Sequence, residues 1–150
     1  MTTHPCCARM CTGWSLNVLV QDDELTGILD WVELSIADPA WDIANTILRI
    51  TLPFKYFVSG LLGPDFASVN WEECAQAYLD VYCAHHPAGS ANLHYYLARQ
   101  SLYSLVEGVR GHVVWGHPPI AQELIERFYE ITGVGIVLPS RVRHFEEAKP

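Results

Sequence analysis

The chain has 150 residues, half of them apolar, and a formal net charge of −8. This size and apolar content suit a single folded domain with a real core and exclude a disordered chain. Nine Lys and Arg against seventeen Asp and Glu also exclude the clustered positive charge that nucleic-acid phosphates require, so no nucleic-acid partner is expected.

Residues 1–14 carry no hydrophobic period and no acidic side chain, and read as an irregular N-terminal segment. Cys6, Cys7 and Cys11 with His4 match no common zinc-ligand spacing, and free thiols in an irregular terminus are the simpler reading. Met1 to Met10 hold no apolar run resembling a signal peptide. No stretch approaches the roughly 20 apolar residues that span a bilayer. No membrane partner and a cytoplasmic location are expected. The five cysteines, an odd number, are then expected to be reduced.

Two short apolar runs follow, Leu16–Val20 and Leu25–Trp31, separated by Gln21-Asp22-Asp23-Glu24. Runs of this length broken by a polar turn predict a β-hairpin of open turn type. Asn17 begins the first strand and Asp30 ends the second, which makes them neighbours in a tight hairpin. An amide oxygen and a carboxylate oxygen there suit Mg²⁺, a hard octahedral ion, although the same residue types also serve as turn formers.

From Asp38 onward the pattern is helical. Asp38 can cap a helix opened by Pro39, with Trp41, Ala44, Ile47 and Leu48 recurring at helical spacing. Pro53, Gly60, Gly63 and Pro64 then mark a loop, which would contain Lys55. Asn70 with Glu73 forms the pattern of a capping box before an apolar stripe of Trp71, Cys74, Tyr78, Val81 and Tyr82. Cys74 and Cys83, nine positions apart on that helix, fall on opposite faces at about 100° per residue and cannot pair with each other.

His85 to Gly89 breaks this helix, and Ser90 is placed to cap the next, whose stripe reads Tyr95, Ala98, Leu102, Val106, Val109 and Val113. Gly108 and Gly111 weaken it by about 1 kcal/mol each relative to alanine. Pro118 and Pro119 open a last helix with Ile120, Leu124, Phe128 and Ile131 facing inward, and Gly133 closes it. The predicted fold class is mainly α with a small β-hairpin.

The hairpin and the first helix carry an ordered set of motifs: Asn17-Val18-Leu19-Val20, Thr26-Gly27-Ile28-Leu29-Asp30-Trp31, and Asp38-Pro39-Ala40-Trp41-Asp42-Ile43-Ala44. Together they resemble the aminoglycoside phosphotransferase and choline kinase-like group. Tyr95-Tyr96, Leu102–Gly108, Val114–Pro118 and Phe128–Gly133 are similar to the closing segments of its helical subdomain. The resemblance covers roughly residues 15–136, which it marks as the phosphotransferase-like domain, with 137–150 as a C-terminal tail.

The resemblance implies the C-terminal lobe of a protein-kinase-like fold, its N-terminal lobe absent. It implies Mg²⁺ and ATP as cofactors, with Asn17 and Asp30 holding the metal against the nucleotide phosphates. Asp42 matches a helix-borne acid that braces the catalytic loop, although a first-turn acid favoured by the helix dipole would look the same. Asp38 reads most simply as the helix cap. Five residues before Asn17 the family places the Asp of a His-Gly-Asp loop, which deprotonates the attacking hydroxyl. Here Thr12 occupies that position, within Met10-Cys11-Thr12-Gly13-Trp14. A threonine hydroxyl cannot accept the proton as a carboxylate does, a loss of about 10²- to 10⁴-fold in rate.

Neither lysine, Lys55 nor Lys149, sits in a strand like that of the kinase lysine, and Gly133-Val134-Gly135 is too short for a phosphate loop. The expected function is a truncated small-molecule kinase moving the ATP γ-phosphoryl to a substrate hydroxyl, impaired by loss of base and N-lobe. The acceptor is left open. The alternative is a non-catalytic helical interaction module or pseudoenzyme fragment, pairing with itself as a homo-oligomer or complementing a separately encoded N-lobe.

Overall fold

The computed structural model describes residues 18–22, 24–28, 38–58, 66, 68–87 and 89–138. Strand β1 (Val18–Gln21) pairs antiparallel with β2 (Glu24–Ile28) in a two-stranded sheet. The register sets Val18 opposite Ile28, Leu19 opposite Gly27, Val20 opposite Leu25 and Gln21 opposite Glu24, with an irregularity between Leu19 and Val20. Asp22 lies at φ 51°. Both common two-residue hairpin turns need positive φ at their first central position, and Asp tolerates it better than most residues.

Among the described residues these α-helices follow: α1 (Pro39–Pro53), α2 (Trp71–His85), α3 (Leu93–Val109) and α4 (Pro118–Thr132). The described part of the chain is mostly helical, as the sequence predicts. Helix α1 packs on α2 and α3, while α4 packs on α3 and shares the main core with α1. Among the described residues no helix is long and apolar enough to cross a membrane.

Asp38, in extended conformation, accepts the Ala40 N–H at 2.9 Å and starts α1, with Pro39 placed where no donor is needed. The buried positions Ala40, Ile43, Ala44, Ile47, Leu48, Thr51 and Leu52 form a stripe at three- and four-residue steps. Thr51 is tolerated there because its hydroxyl donates to the Ile47 carbonyl at 3.0 Å. One predicted member of the stripe is wrong: Trp41 is on the outer face, with the Arg99 guanidinium 5.2 Å from its ring centroid.

The helix does not stop for a loop at Pro53. It continues through Pro53 into a π turn over Phe54–Val58. Proline cannot donate to the carbonyl four residues back and crowds it, and widening to π geometry accommodates both effects. Lys55 therefore lies on this turn, and the rest of the predicted loop, residues 59–65, falls outside the described part of the chain.

Helix α2 starts at Asn70, whose side chain accepts the Glu73 N–H at 3.3 Å. Trp71, Cys74 and Ala75 are buried and Tyr78 and Tyr82 half-buried, but Val81 is exposed, at the edge of the predicted stripe. Ser90 does not cap α3. That position belongs to Asn92, whose side chain makes no cap bond, while the Ser90 carbonyl accepts the Leu93 N–H at 3.0 Å. The Ser90 hydroxyl instead accepts from the Cys83 thiol at 3.4 Å.

The largest departure is on α3. Tyr95, Leu102, Val106 and Val109 are exposed, and so is Val113 beyond the helix end. The buried face is Leu93, Ala98, Gln100, Ser101, Ser104, Leu105 and Gly108. On this face, which meets α1 and α4, Leu93 and Leu105 enter the core while Ala98, Ser101, Ser104 and Gly108 are small enough to let backbones approach. A Cβ on Gly108 would lie 2.5 Å from the Trp115 carbonyl oxygen and 2.9 Å from the Gly116 nitrogen. Gly108 thus permits a contact rather than merely weakening the helix.

The main core joins Leu48 and Leu52 of α1, Leu105 of α3, Trp115, and Ile120, Ala121 and Leu124 of α4. A second cluster joins Ile43, Ala44 and Ile47 to Ala75 of α2 and Leu93 of α3. Gly133 closes α4 at φ 70°, its N–H bonded to the Tyr129 carbonyl at 2.7 Å.

Candidate functional site

The sequence assigns the candidate site to the open end of the hairpin and the N-terminus of α1. Val18 and Ile28 face each other as the last described pair of the hairpin. Asn17 and Asp30, the expected metal holders, and Thr12, at the expected base position, lie outside the described residues.

Asp38 and Asp42 are described. The carboxylate of Asp38 uses both oxygens: Oδ1 accepts the Ala40 N–H and Oδ2 accepts the side-chain amide of Asn92 at 2.6 Å. These bonds, the Asn92 one foremost, hold the Asp38 carboxyl below its ordinary range and outweigh a small opposing effect of burial. Asp38 therefore ties the start of α1 to the start of α3. Asp42 sits one turn on, exposed in the first turn of α1, where a carboxylate is favoured by the helix dipole. Its charge reaches Tyr78 of α2. Burial is the main cause raising the Tyr78 phenol, with Asp42 adding to it and a hydrogen bond with Thr46 opposing.

A second polar cluster lies at the other end of α1, where the π turn that follows it meets α4. Lys55 and the Tyr56 hydroxyl both donate to Oε1 of Glu123. Burial alone would push Glu123 up, but the bonds from Lys55 and Tyr56 together hold it below its ordinary value. Lys55 and Tyr56 are both raised, chiefly by their bond to Glu123. The ring of His117 packs 5.8 Å from Tyr56 and 4.9 Å from Phe57, with its Nδ1 enclosed and lacking a hydrogen-bond partner. Sequence reasoning missed this cluster because it placed Lys55 in a loop. Nothing in the spacing linked Lys55 to Glu123, 68 residues later. Asn92 was missed as well, since Asn before a helix signals only a local cap.

Among the described residues, no group of three or more His, Cys, Asp or Glu is arranged to hold a metal ion. Cys83, His85 and His86 form no such set: the thiol is engaged by Ser90 and the His86 ring packs 5.1 Å from Tyr82.

The model of the phosphotransferase enzyme family, APH, matches residues 14–96, running from the hairpin through α1 and α2 into the first turn of α3. The chain belongs to this family, and its class is that of kinase-like phosphotransferases. No curated protein and no solved structure matches it.

Proposed function

We propose that the chain forms the helical, acceptor-side lobe of a small-molecule kinase, whose reaction transfers the γ-phosphoryl of ATP to a substrate hydroxyl. The family match over 14–96 carries this reading, because it spans the hairpin and the Asp38–Asp42 segment in their expected order. The hairpin register supports the residue roles. Asn17 directly precedes Val18 and Asp30 follows Ile28 by two positions, and Val18 and Ile28 are paired. An amide and a carboxylate leading from one end of a hairpin offer the hard oxygen donors that Mg²⁺ takes. Bound there, the ion would neutralise charge on the phosphates. Asp38, by fixing α1 against α3, would hold the segment that follows the hairpin, and Asp42 would brace the loop before it.

Phosphoryl transfer depends on positioning and charge stabilisation, and deprotonation of the acceptor needs a carboxylate that Thr12 does not supply. Nucleotide binding without efficient turnover is therefore the expected behaviour. Calorimetric titration of ATP with Mg²⁺ into the purified chain, alongside Asp30→Ala, tests this. Heat that requires Mg²⁺ and is lost in Asp30→Ala supports the assignment. A folded, helical chain that takes up no nucleotide sinks it. A second reading, a non-catalytic interaction module, is favoured by the exposed apolar side of α3.

A further inference from the structure

The outer face of α3 carries a pattern that the core of the described residues does not use. Tyr95, Arg99, Leu102, Val106 and Val109 are all exposed, and they follow one another at steps of four, three, four and three residues. Alternating steps of this kind define the seam of a coiled coil, with Arg99 and Val106 at the a positions and Tyr95, Leu102 and Val109 at the d positions. The opposite face of the same helix fills the core, so the seam is a second apolar surface on a rigid, packed element.

We propose that this seam is the interface of a homodimer in which α3 packs antiparallel against α3 of a second copy. The spacing supports a helical partner, since side chains recurring at alternating three- and four-residue steps pack as knobs into the holes of a facing helix. Charge supports a second copy meeting here. Each chain carries a net charge of −8, yet the seam has no acidic residue, and Glu107 beside it is paired with Arg110 at 2.8 Å. Two copies can approach along this face without opposing carboxylates.

Arg99 selects the direction. In a parallel pair the two Arg99 side chains would share one layer. A two-fold axis near Ser104 reverses the partner and sets Leu102 against Val106 and Arg99 against Val109. The two guanidinium-bearing positions are then separated by ten helical steps, about 15 Å along the axis. Arg99 lies over the Trp41 ring of its own chain, which keeps its charge at the rim of the seam.

The area sets the strength. Tyr103 flanks the seam and Val113 extends it, with Tyr95 at 65% and Val113 at 73% exposure as the most open members. Taking roughly 200 Å² for a tyrosine side chain and 100 Å² for an aliphatic one, the exposed parts amount to roughly 450 Å² per copy. About 900 Å² for the pair belongs to weak, concentration-dependent complexes, well below the size of obligate dimers. The inference does not rest on the proposed catalytic role.

Sedimentation velocity of the full chain from low micromolar to near-millimolar concentration tests it, with helicity followed by circular dichroism. The expected result is a mass rising from one chain toward two. Leu102→Glu and Val106→Glu should each hold the mass at one chain while keeping native helicity, and Tyr129→Glu, on the exposed face of α4, should leave the rise intact. A wild-type chain that stays monomeric overturns the proposal. A dye for exposed apolar surface then shows whether the seam is open to another partner or covered by the chain itself. A dimer that survives both seam variants overturns it too, because the interface must lie elsewhere.

Discussion

The carboxylate of Asp38 accepts a 2.6 Å hydrogen bond from the side-chain amide of Asn92, 54 residues away, while its other oxygen caps α1. One side chain thus starts a helix and docks it on a second. Asp38→Ala should lower the melting temperature more than an ordinary cap deletion, since it also releases α3. Asp38→Asn keeps a capping oxygen and should cost less. The folded carboxyl sits below its ordinary range, so its contribution is present above the unfolded value and is lost as pH falls through the folded one. The gap between wild type and Asp38→Asn, measured by thermal unfolding, should therefore close in acid.

Gly108→Ala separates helix propensity from packing. Propensity alone predicts a gain of about 1 kcal/mol. The new Cβ would instead meet the backbone of Trp115 and Gly116 at 2.5–2.9 Å. Backbone cannot move aside as a side-chain tip can, so a net loss of about 1–3 kcal/mol is expected. A urea midpoint above that of wild type would contradict the close approach.

Ser101 is fully buried in α3 and its hydroxyl has no hydrogen-bond partner. A buried hydroxyl without a partner costs about 1–3 kcal/mol. Ser101→Ala should therefore be neutral or stabilising by about 1 kcal/mol, a sign opposite to that of most core truncations. Leu124→Ala, by contrast, removes a fully buried side chain from the main core and should cost about 2–5 kcal/mol. Parallel denaturant titrations of the two variants check the contrast.

The Lys55–Tyr56–Glu123 cluster should act over a defined pH window. Glu123 is held down, so its share is present above the ordinary glutamate range and lost as pH falls through its folded value. Lys55 is held up, so its share is present below the ordinary lysine value and lost as pH rises past its folded value. Glu123→Gln should cost about 0.5–1 kcal/mol near neutral pH, modest because Lys55 is half exposed. The penalty should shrink at both extremes in a pH series of melts.

Thr12→Asp tests the reading of the expected base position. If the remaining groups are in place, restoring a carboxylate should raise ATP-dependent phosphoryl transfer to small alcohols by about 10²- to 10⁴-fold. No change in a variant that still binds ATP would show that something besides the base limits the reaction.

Local chemistry in the sequence determined much of this protein. Asp38-Pro39, Asn70 with Glu73 and Gly133 mark helix ends through bonds made within a few residues, Pro118-Pro119 through its fixed backbone angle, and the structure has α1, α2 and α4 beginning or ending there. The hairpin was legible for the same reason, as were the motifs that place the chain in its family. Tertiary structure decided the rest. Which face of α3 is inside depended on what α1 and α4 present to it: Leu93 and Leu105 enter the core beside the small Ala98, Ser101, Ser104 and Gly108, where backbones come close, while Leu102 and Val106 turn outward. Hydrophobic periodicity cannot foresee that inversion, because it ranks side chains by apolarity and carries no term for the distance between backbones. The pairings of Asp38 with Asn92 and of Lys55 with Glu123 likewise join residues more than fifty positions apart, and only the packing of α1 against its neighbours brings them within reach.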